Sequence, residues 1–253
     1  MAAETGDEGS AFFKGTRKHE ESGYLTKTAN GAGWQINALD EYGELFVEYA
    51  KTCSRPIADL GVAYGFTSKC LLDAGAKVIA NDLSKDMLQE LEKSVSKEQK
   101  ARLTLMPGDA LKLKFDKESL DGIWANRFLH FLKPEDIRTS MKHFYNWLAP
   151  GGKLCITAAT PYFGSVAEFL PKYQKRKEAG EEWPGYMTKE EVPEDWREAS
   201  DALEGGHVLD MDVLQREVKR VGFTVEKCSY IARPYAGSSG KEGVGIIAVK
   251  PQS

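Results

Sequence analysis

Three aspartates mark where this chain can do chemistry. Asp59 lies in the short apolar run Ile57-Ala58-Asp59-Leu60, Asp82 follows Lys77-Val78-Ile79-Ala80-Asn81, and Asp109 follows Leu103-Thr104-Leu105-Met106 and the turn Pro107-Gly108. Asp59 also opens the stretch Asp59-x-Gly61-x-x-x-Gly65. A carboxylate two residues before the first glycine favours a ligand bearing an ammonium group and repels a pyrophosphate. The spacing likewise departs from the G-x-G-x-x-G of dinucleotide sites. Asp82 stands about twenty residues beyond Gly61, where a strand-end carboxylate accepts hydrogen bonds from both ribose hydroxyls. His130 and His207 have ordinary pKa values near neutral, which makes them candidate general bases, His130 first.

The elements that must position these groups can be read from the apolar pattern. Ile57–Leu60 is a strand stopped by Gly61, and Phe66–Leu72 is a helix, so a glycine turn joins them in a βαβ opening. Such a turn bares its backbone, and the helix N-terminus presents unpaired N–H groups. Further strands are expected at 77–81, 103–106, 119–125 and 153–157, with a helix from Asp136 to Leu148 whose apolar face holds Ile137, Met141, Phe144 and Tyr145. A helix from Asp210 to Val221, with Asp210 as N-cap, precedes two strands at 223–231 and 245–249. At the other end, Ile36, Leu39, Tyr42, Leu45, Phe46 and Tyr49 recur at helical spacing and predict an amphipathic helix from Trp34. Residues 1–10 read as a frayed end and Asn30-Gly31-Ala32-Gly33 as a loop.

Taken together, Asp59 to Gly65, Asp82 to Leu88, Gly108-Asp109-Ala110, Asn126 to Leu132 and the helix-ending Leu148-x-Pro150-Gly151-Gly152 resemble the class I S-adenosylmethionine-dependent methyltransferases. The likeness runs from about Ile57 to Ile156, with a weaker echo toward the C-terminus. It implies a Rossmann-like α/β fold, a seven-stranded, mostly parallel sheet with helices on both faces and a C-terminal antiparallel strand hairpin. It implies S-adenosylmethionine as cofactor and S-adenosylhomocysteine as product. Asp59, Gly61, Ala63 and Gly65 would face the amino-acid portion, and Asp82 the ribose. Leu83 would pack on the adenine face, with Ser84 capping the next helix. Asp109 would accept from the adenine amino group, helped by the backbone N–H of Ala110. Asn126 and Arg127 would meet the methionine portion, Arg127 through a carboxylate of either the cofactor or a substrate. One departure is Ala63, where the family carries glycine; alanine demands φ below zero unless strain is accepted.

Between Thr160 and His207 the pattern changes, with Pro161, Pro171, Pro184 and Pro193 among aromatic residues including Tyr162, Trp183, Tyr186 and Trp196. This stretch reads as an insertion of 160–207 at the carboxyl edge of the sheet, where such enzymes place a substrate lid. Tyr162 and Trp183 are its candidate substrate contacts. Lys172, Lys175, Arg176 and Lys177 read as a solvated helix face, since glutamates follow directly. Residues 1–50 form an N-terminal helical cap segment in this reading, with Tyr24 and Trp34 near the transferred methyl, and the whole chain is a single domain.

Composition excludes several alternatives. The 253 residues suffice for one large α/β domain, and 42% hydrophobic with 28% charged residues is ordinary for a globular protein. A net charge of −4 gives no electrostatic reason to expect nucleic-acid binding. No apolar run reaches the ~18 residues of a membrane span, and Met1–Ser10 lacks a secretory core, so a cytoplasmic location is expected. Cys53, Cys70, Cys155 and Cys228 are scattered, without a C-x-x-C pair, and read as reduced thiols rather than disulfides or a metal site. The expected activity is methyl transfer to a small-molecule acceptor through an O or N nucleophile such as a carboxylate, amine or phenol. The alternatives are a protein or RNA methyltransferase, a cofactor-binding module without catalysis, and, against the glycine spacing, a nicotinamide oxidoreductase.

Overall fold

A computed structural model describes residues 23–29, 33–193 and 205–252. The expected fraying of 1–10, the loop residues 30–32 and Trp196 lie outside the described residues. The chain opens with a hairpin, β1 (Leu25–Lys27) against β2 (Trp34–Ile36), followed by α1 (Glu41–Ala50). The central run is β3 (Ile57–Leu60), α2 (Phe66–Asp73), β4 (Val78–Asp82), α3 (Lys85–Ser94), the short α4 (Lys97–Lys100), β5 (Leu103–Pro107), β6 (Leu120–Asn126), α5 (Pro134–Trp147) and β7 (Leu148–Ala159). Then come α6 (Leu170–Glu178), a second small hairpin of β8 (Tyr186–Thr188) and β9 (Gly205–His207), α7 (Met211–Arg220), β10 (Thr224–Ile231) and β11 (Gly243–Val249).

Seven strands form one sheet in the order β10-β11-β7-β6-β3-β4-β5. β3 to β7 run parallel, while β11 pairs antiparallel with both β7 and β10. β3 and β4 are buried along nearly their whole length, as strands covered on both faces must be. One face is covered by α5 and α7 through Ile137, Met141, Phe144, Val213, Leu214 and Val218. The other is covered by α1, α2 and α3 through Tyr42, Phe46, Leu71, Leu72, Leu88 and Leu91. The chain changes winding direction between β3, which leads on to β4 and β5, and β6. In open α/β sheets ligands bind at the carboxyl ends beside such a switch.

A third core lies apart from the sheet faces. Phe163, Val166, Phe169, Tyr173 and Met187 of the insertion, with Val208 just after it, pack with Leu25, Trp34 and Ile36 of the N-terminal hairpin. Three aromatics of the insertion, Phe163, Phe169 and Tyr173, therefore help hold this cover together. Its charges do likewise: Lys172 and Arg176 pair with Glu191, and Lys177 with Asp210 (2.6 Å) and Asp212 (2.8 Å). The basic face expected to be solvated is thus largely neutralised within the fold.

The helix expected from Trp34 begins instead at Glu41. Asp40 accepts the Gly43 N–H (3.0 Å) and starts it, whereas Asn37 bonds the Gly23 carbonyl (2.8 Å) and the Thr26 hydroxyl (2.9 Å) and pins Trp34–Ile36 as an extended strand. Hairpin pairing overrode a spacing that continued in helical phase by coincidence.

Candidate active site

The glycine stretch forms a loop that keeps to the left-handed region at Gly61 (φ +70), Ala63 (φ +49) and Gly65 (φ +78). Gly65 is the left-handed N-cap of α2, and a Cβ there would lie 2.5 Å from the Leu91 side chain. Ala63 accepts the strain foreseen from its side chain, of order 1–2 kcal/mol. In return its N–H donates to Asp82 Oδ2 at 2.8 Å, linking the loop to the tip of β4. Asp82 Oδ1 accepts the Ser84 N–H (2.9 Å), and the Ser84 hydroxyl accepts from Met87 (3.3 Å) and caps α3. Each carboxylate oxygen of Asp82 thus retains a lone pair for a ligand hydroxyl. Leu83 beside it is 68% exposed, an apolar face presented to the cleft.

At the next tip, Asp109 Oδ1 accepts the Leu111 N–H (2.9 Å) and Ala110 begins a 3-10 turn. Asn81, which sequence reasoning had treated only as a strand residue, donates to the carbonyls of Met106 (2.7 Å) and Gly108 (2.9 Å) and locks the β4 and β5 tips together. At the end of β6, Asn126 accepts the Thr157 hydroxyl, leaving its amide N–H groups for the cleft. Arg127 follows with φ +55 and donates to the Trp34 carbonyl (3.2 Å).

These groups line one cleft of about 870 Å³. Gly61, Ala63, Asp82, Leu83, Asp109, Ala110, Asn126, Arg127, His130 and Trp34 come together in its wall. Gln35, Ile36, Phe128, Phe131, Tyr186 and Gly205 join them. The sequence signal for Tyr186 was no stronger than that for its aromatic neighbours.

Five expected contacts fall elsewhere. Asp59 is buried beneath the loop, where Oδ2 accepts the hydroxyls of Thr67 and Ser68, each at 2.7 Å. Burial pushes its carboxyl up to about 6, against the lowering effect of those hydroxyls. It ties loop to helix rather than touching a ligand's ammonium group from the wall. Gly65 shapes the loop from behind. Tyr24 packs edge-on to Tyr235 (5.8 Å), and burial raises its phenol pKa. Tyr162 stands against Tyr230 (6.0 Å) beneath Lys241, and Trp183 lies between the guanidinium groups of Arg138 (5.3 Å) and Arg216 (5.1 Å).

His130 lines the cleft, but its basicity is gone. Burial, then the positive charges of Arg127 and Arg233, push its pKa down to about 3. A neutral imidazole this weakly basic is a poor proton acceptor at neutral pH. His207 is also buried and lowered to about 4, with Nδ1 3.3 Å from the Leu132 carbonyl.

Residues 57–152 match a family model described as a methyltransferase domain, and this segment carries the glycine loop, all three aspartates and the β6 tip. Over those residues the chain is similar to the methyltransferase domain, in keeping with the class I resemblance of its motifs. The chain is 29% identical over 136 residues to the demethylmenaquinone methyltransferase of Lactococcus lactis subsp. lactis, covering 46% of this chain and 53% of the relative. It is 28% identical over 138 residues to the carboxy-S-adenosyl-L-methionine synthase of Shewanella pealeana, covering 53% and 54%. The chain thus spans about half the length of the curated relatives it matches. Among solved structures, an S-adenosylmethionine-dependent methyltransferase from Mesorhizobium loti superposes with a TM-score of 0.58 at 18% identity, over 82% of this chain and 97% of the other. The glycopeptide N-methyltransferase MtfA complexed with S-adenosylmethionine gives 0.56 at 20% identity, over 83% and 92%. These likenesses show a shared fold.

The residues of the cleft fit S-adenosylmethionine, the cofactor that the resemblance implies. Asp82 keeps acceptor capacity for two hydroxyls, Leu83 offers an apolar face, and Asp109 and Ala110 offer an acceptor and a donor at the next tip. No helix among the described residues is long and apolar enough to cross a membrane.

Proposed function

We propose that this methyltransferase carries a methyl group from S-adenosylmethionine to an O or N nucleophile of a small-molecule acceptor. The observation that supports it most directly is the single wall that joins Gly61, Ala63, Asp82, Leu83, Asp109 and Asn126 below a cover of Trp34, Ile36 and Tyr186. The sulfonium supplies a methyl group on a good leaving group. What remains for the protein is alignment and exclusion of water, and well-oriented intramolecular reactions gain roughly 7–11 kcal/mol that way. Asp82 fixes the ribose, Leu83 and Asp109 the base, and the bare backbone at Gly61 and Ala63 the amino-acid portion. The hairpin and the insertion shield the acceptor side from water.

With His130 near pKa 3, an acceptor already deprotonated at neutral pH, or a free amine, suits the site. The acidic balance of the chain favours a small acceptor over a nucleic acid. A cytoplasmic setting accords with its four free cysteines. The names of the relatives point to different reactions, methylation of demethylmenaquinone for one and synthesis of carboxy-S-adenosyl-L-methionine for the other.

Titration calorimetry with S-adenosylhomocysteine tests the reading. Asp82→Ala is expected to weaken binding by about 1–3 kcal/mol, the scale of hydrogen bonds to a charged group. Equal affinity in parent and variant would remove Asp82 from the site. Tight binding with no S-adenosylhomocysteine released from S-adenosylmethionine over any metabolite pool would make the chain a cofactor-binding module.

A further inference from the structure

Two guanidinium groups sit near one another beneath the N-terminal hairpin, and they are unequally served. Arg233 is buried, with Nη2 3.0 Å from Asp40 Oδ2 and Nη1 3.4 Å from the Tyr235 hydroxyl. Arg127 is half-buried in the cleft wall, and the hydrogen bond its guanidinium makes among the described residues goes to the Trp34 carbonyl. Asp40, already bonded to Arg233, is the carboxylate whose field reaches Arg127. Among the described residues these two positive charges therefore share the Asp40 carboxylate, and neutral His130 beside them adds no charge.

The other carboxylates of the wall stand elsewhere. Asp82 and Asp109 are at the β4 and β5 tips, across β3 from the β6 tip that carries Arg127, and Asp136 is in the first turn of α5. A guanidinium has five N–H donors in a planar fork, so Arg127 retains the geometry to hold a carboxylate in a bidentate manner. Around it the cleft is apolar and aromatic: Trp34, Ile36, Phe128, Phe131 and Tyr186. A half-buried charge among aromatic faces is costly without a counter-ion. Beside a sulfonium donor the excess of positive charge grows further.

We propose that Arg127 holds a carboxylate of the methyl acceptor, so that the acceptor is an organic acid whose apolar body lies against Trp34, Phe131 and Tyr186. This rests on the methyl-transfer reading above. The same chemistry exists on the cofactor, whose amino-acid portion also carries a carboxylate, and the experiment separates the two.

Calorimetry compares the parent chain, Arg127→Gln and Arg127→Lys. The cofactor side is probed with S-adenosylhomocysteine and with 5′-methylthioadenosine, which lacks the amino-acid carboxylate. The acceptor side is probed with benzoate and phenylacetate, each against its primary amide, in saturating S-adenosylhomocysteine. The parent is expected to bind the acids and discriminate against the amides. Arg127→Gln is expected to keep its affinity for both nucleosides within about threefold and lose at least about tenfold toward the acids, with Arg127→Lys between. Equal binding of acids and amides by the parent overturns the proposal, as does binding of neither. Loss of S-adenosylhomocysteine but not methylthioadenosine in Arg127→Gln would assign Arg127 to the cofactor. If Arg127→Lys loses acids as fully as Arg127→Gln does, and both lose the amides too, the arginine merely holds the hairpin. A parent chain that binds no S-adenosylhomocysteine would instead sink the methyl-transfer reading itself.

Discussion

The wall of the cleft and its cover are built by different means. The wall is a series of strand tips, each followed at once by its own turn and helix: β3 by Gly61–Gly65 and α2, β4 by Asp82–Ser84 and α3, β5 by Asp109 and its 3-10 turn. Its contacts span few residues, apart from the Ala63 to Asp82 and Asn81 to Gly108 bonds that lace neighbouring tips. The cover joins a hairpin at 25–36 to an insertion some 130 residues later through one small core. The wall is held where it is made, whereas the cover depends on distant segments meeting. Disturbing the cover should therefore cost stability without touching cofactor affinity, and disturbing the wall should cost both.

The largest expected effect breaks the cover. Asp210 is buried and accepts from Tyr173, from Lys177 (2.6 Å) and from the Val213 N–H (2.9 Å). Asp210→Ala should destabilise by about 2–4 kcal/mol, through the lost N-cap of α7 and the buried Tyr173 hydroxyl left without its acceptor. Urea denaturation measures this, and S-adenosylhomocysteine affinity at low urea should match the parent's. A parallel loss of affinity would show that cover and wall are not separable.

Asp59 gives a sharper test within the wall. Its folded pKa of about 6 lies above its ordinary 3.8, so the folded state holds a proton that the unfolded chain releases. That contribution is complete below about pH 4 and is lost as pH rises through 6. Two units amount to about 3 kcal/mol. In Asp59→Asn this slope between pH 4 and 7 should vanish, as read from denaturation midpoints. An unchanged slope would mean that Asp59 is ionised and solvated.

Gly65→Ala should cost about 2 kcal/mol, combining a left-handed alanine with contact against the flexible end of Leu91. S-adenosylhomocysteine binding should fall with it, because Gly65 sets the loop's exit into α2. The smallest effect runs the other way. Ala63→Gly relieves left-handed strain but adds chain entropy, for a net gain of about 0.5 kcal/mol. A destabilised variant would mean that the Ala63 methyl group packs usefully in the cleft.

Much of the wall was legible in the sequence because the residues that line it follow directly on the strands that carry them. The acids of β4 and β5, the exposed Leu83, the Ser84 cap and Asn126 stand where the strand signals and the family resemblance put them. Asp59 did not, because a strand buried on both faces gives no sign of which side a lone acid takes. Trp34 lines the cleft from a strand and not from the expected helix, since two turns of helical phase preceded a helix that Asp40 starts. His130 stands where an ordinary imidazole would be a base, and Arg233, more than a hundred residues later, helps remove that property. Which aromatic of the insertion faces the cleft was equally hidden. Pairing of β8 with β9 brings Tyr186 to the wall, while Trp183 is held between two arginines.

The sequence by itself determined the strands and the residues that follow each of them, because alternating strand, turn and helix signals act over a dozen residues at a time. Only the tertiary structure decided which groups keep their ordinary chemistry. Burial and the charges of remote segments set the proton affinities of Asp59 and His130, and they leave Arg127 short of a counter-ion; none of these is a property of a residue's neighbours along the chain.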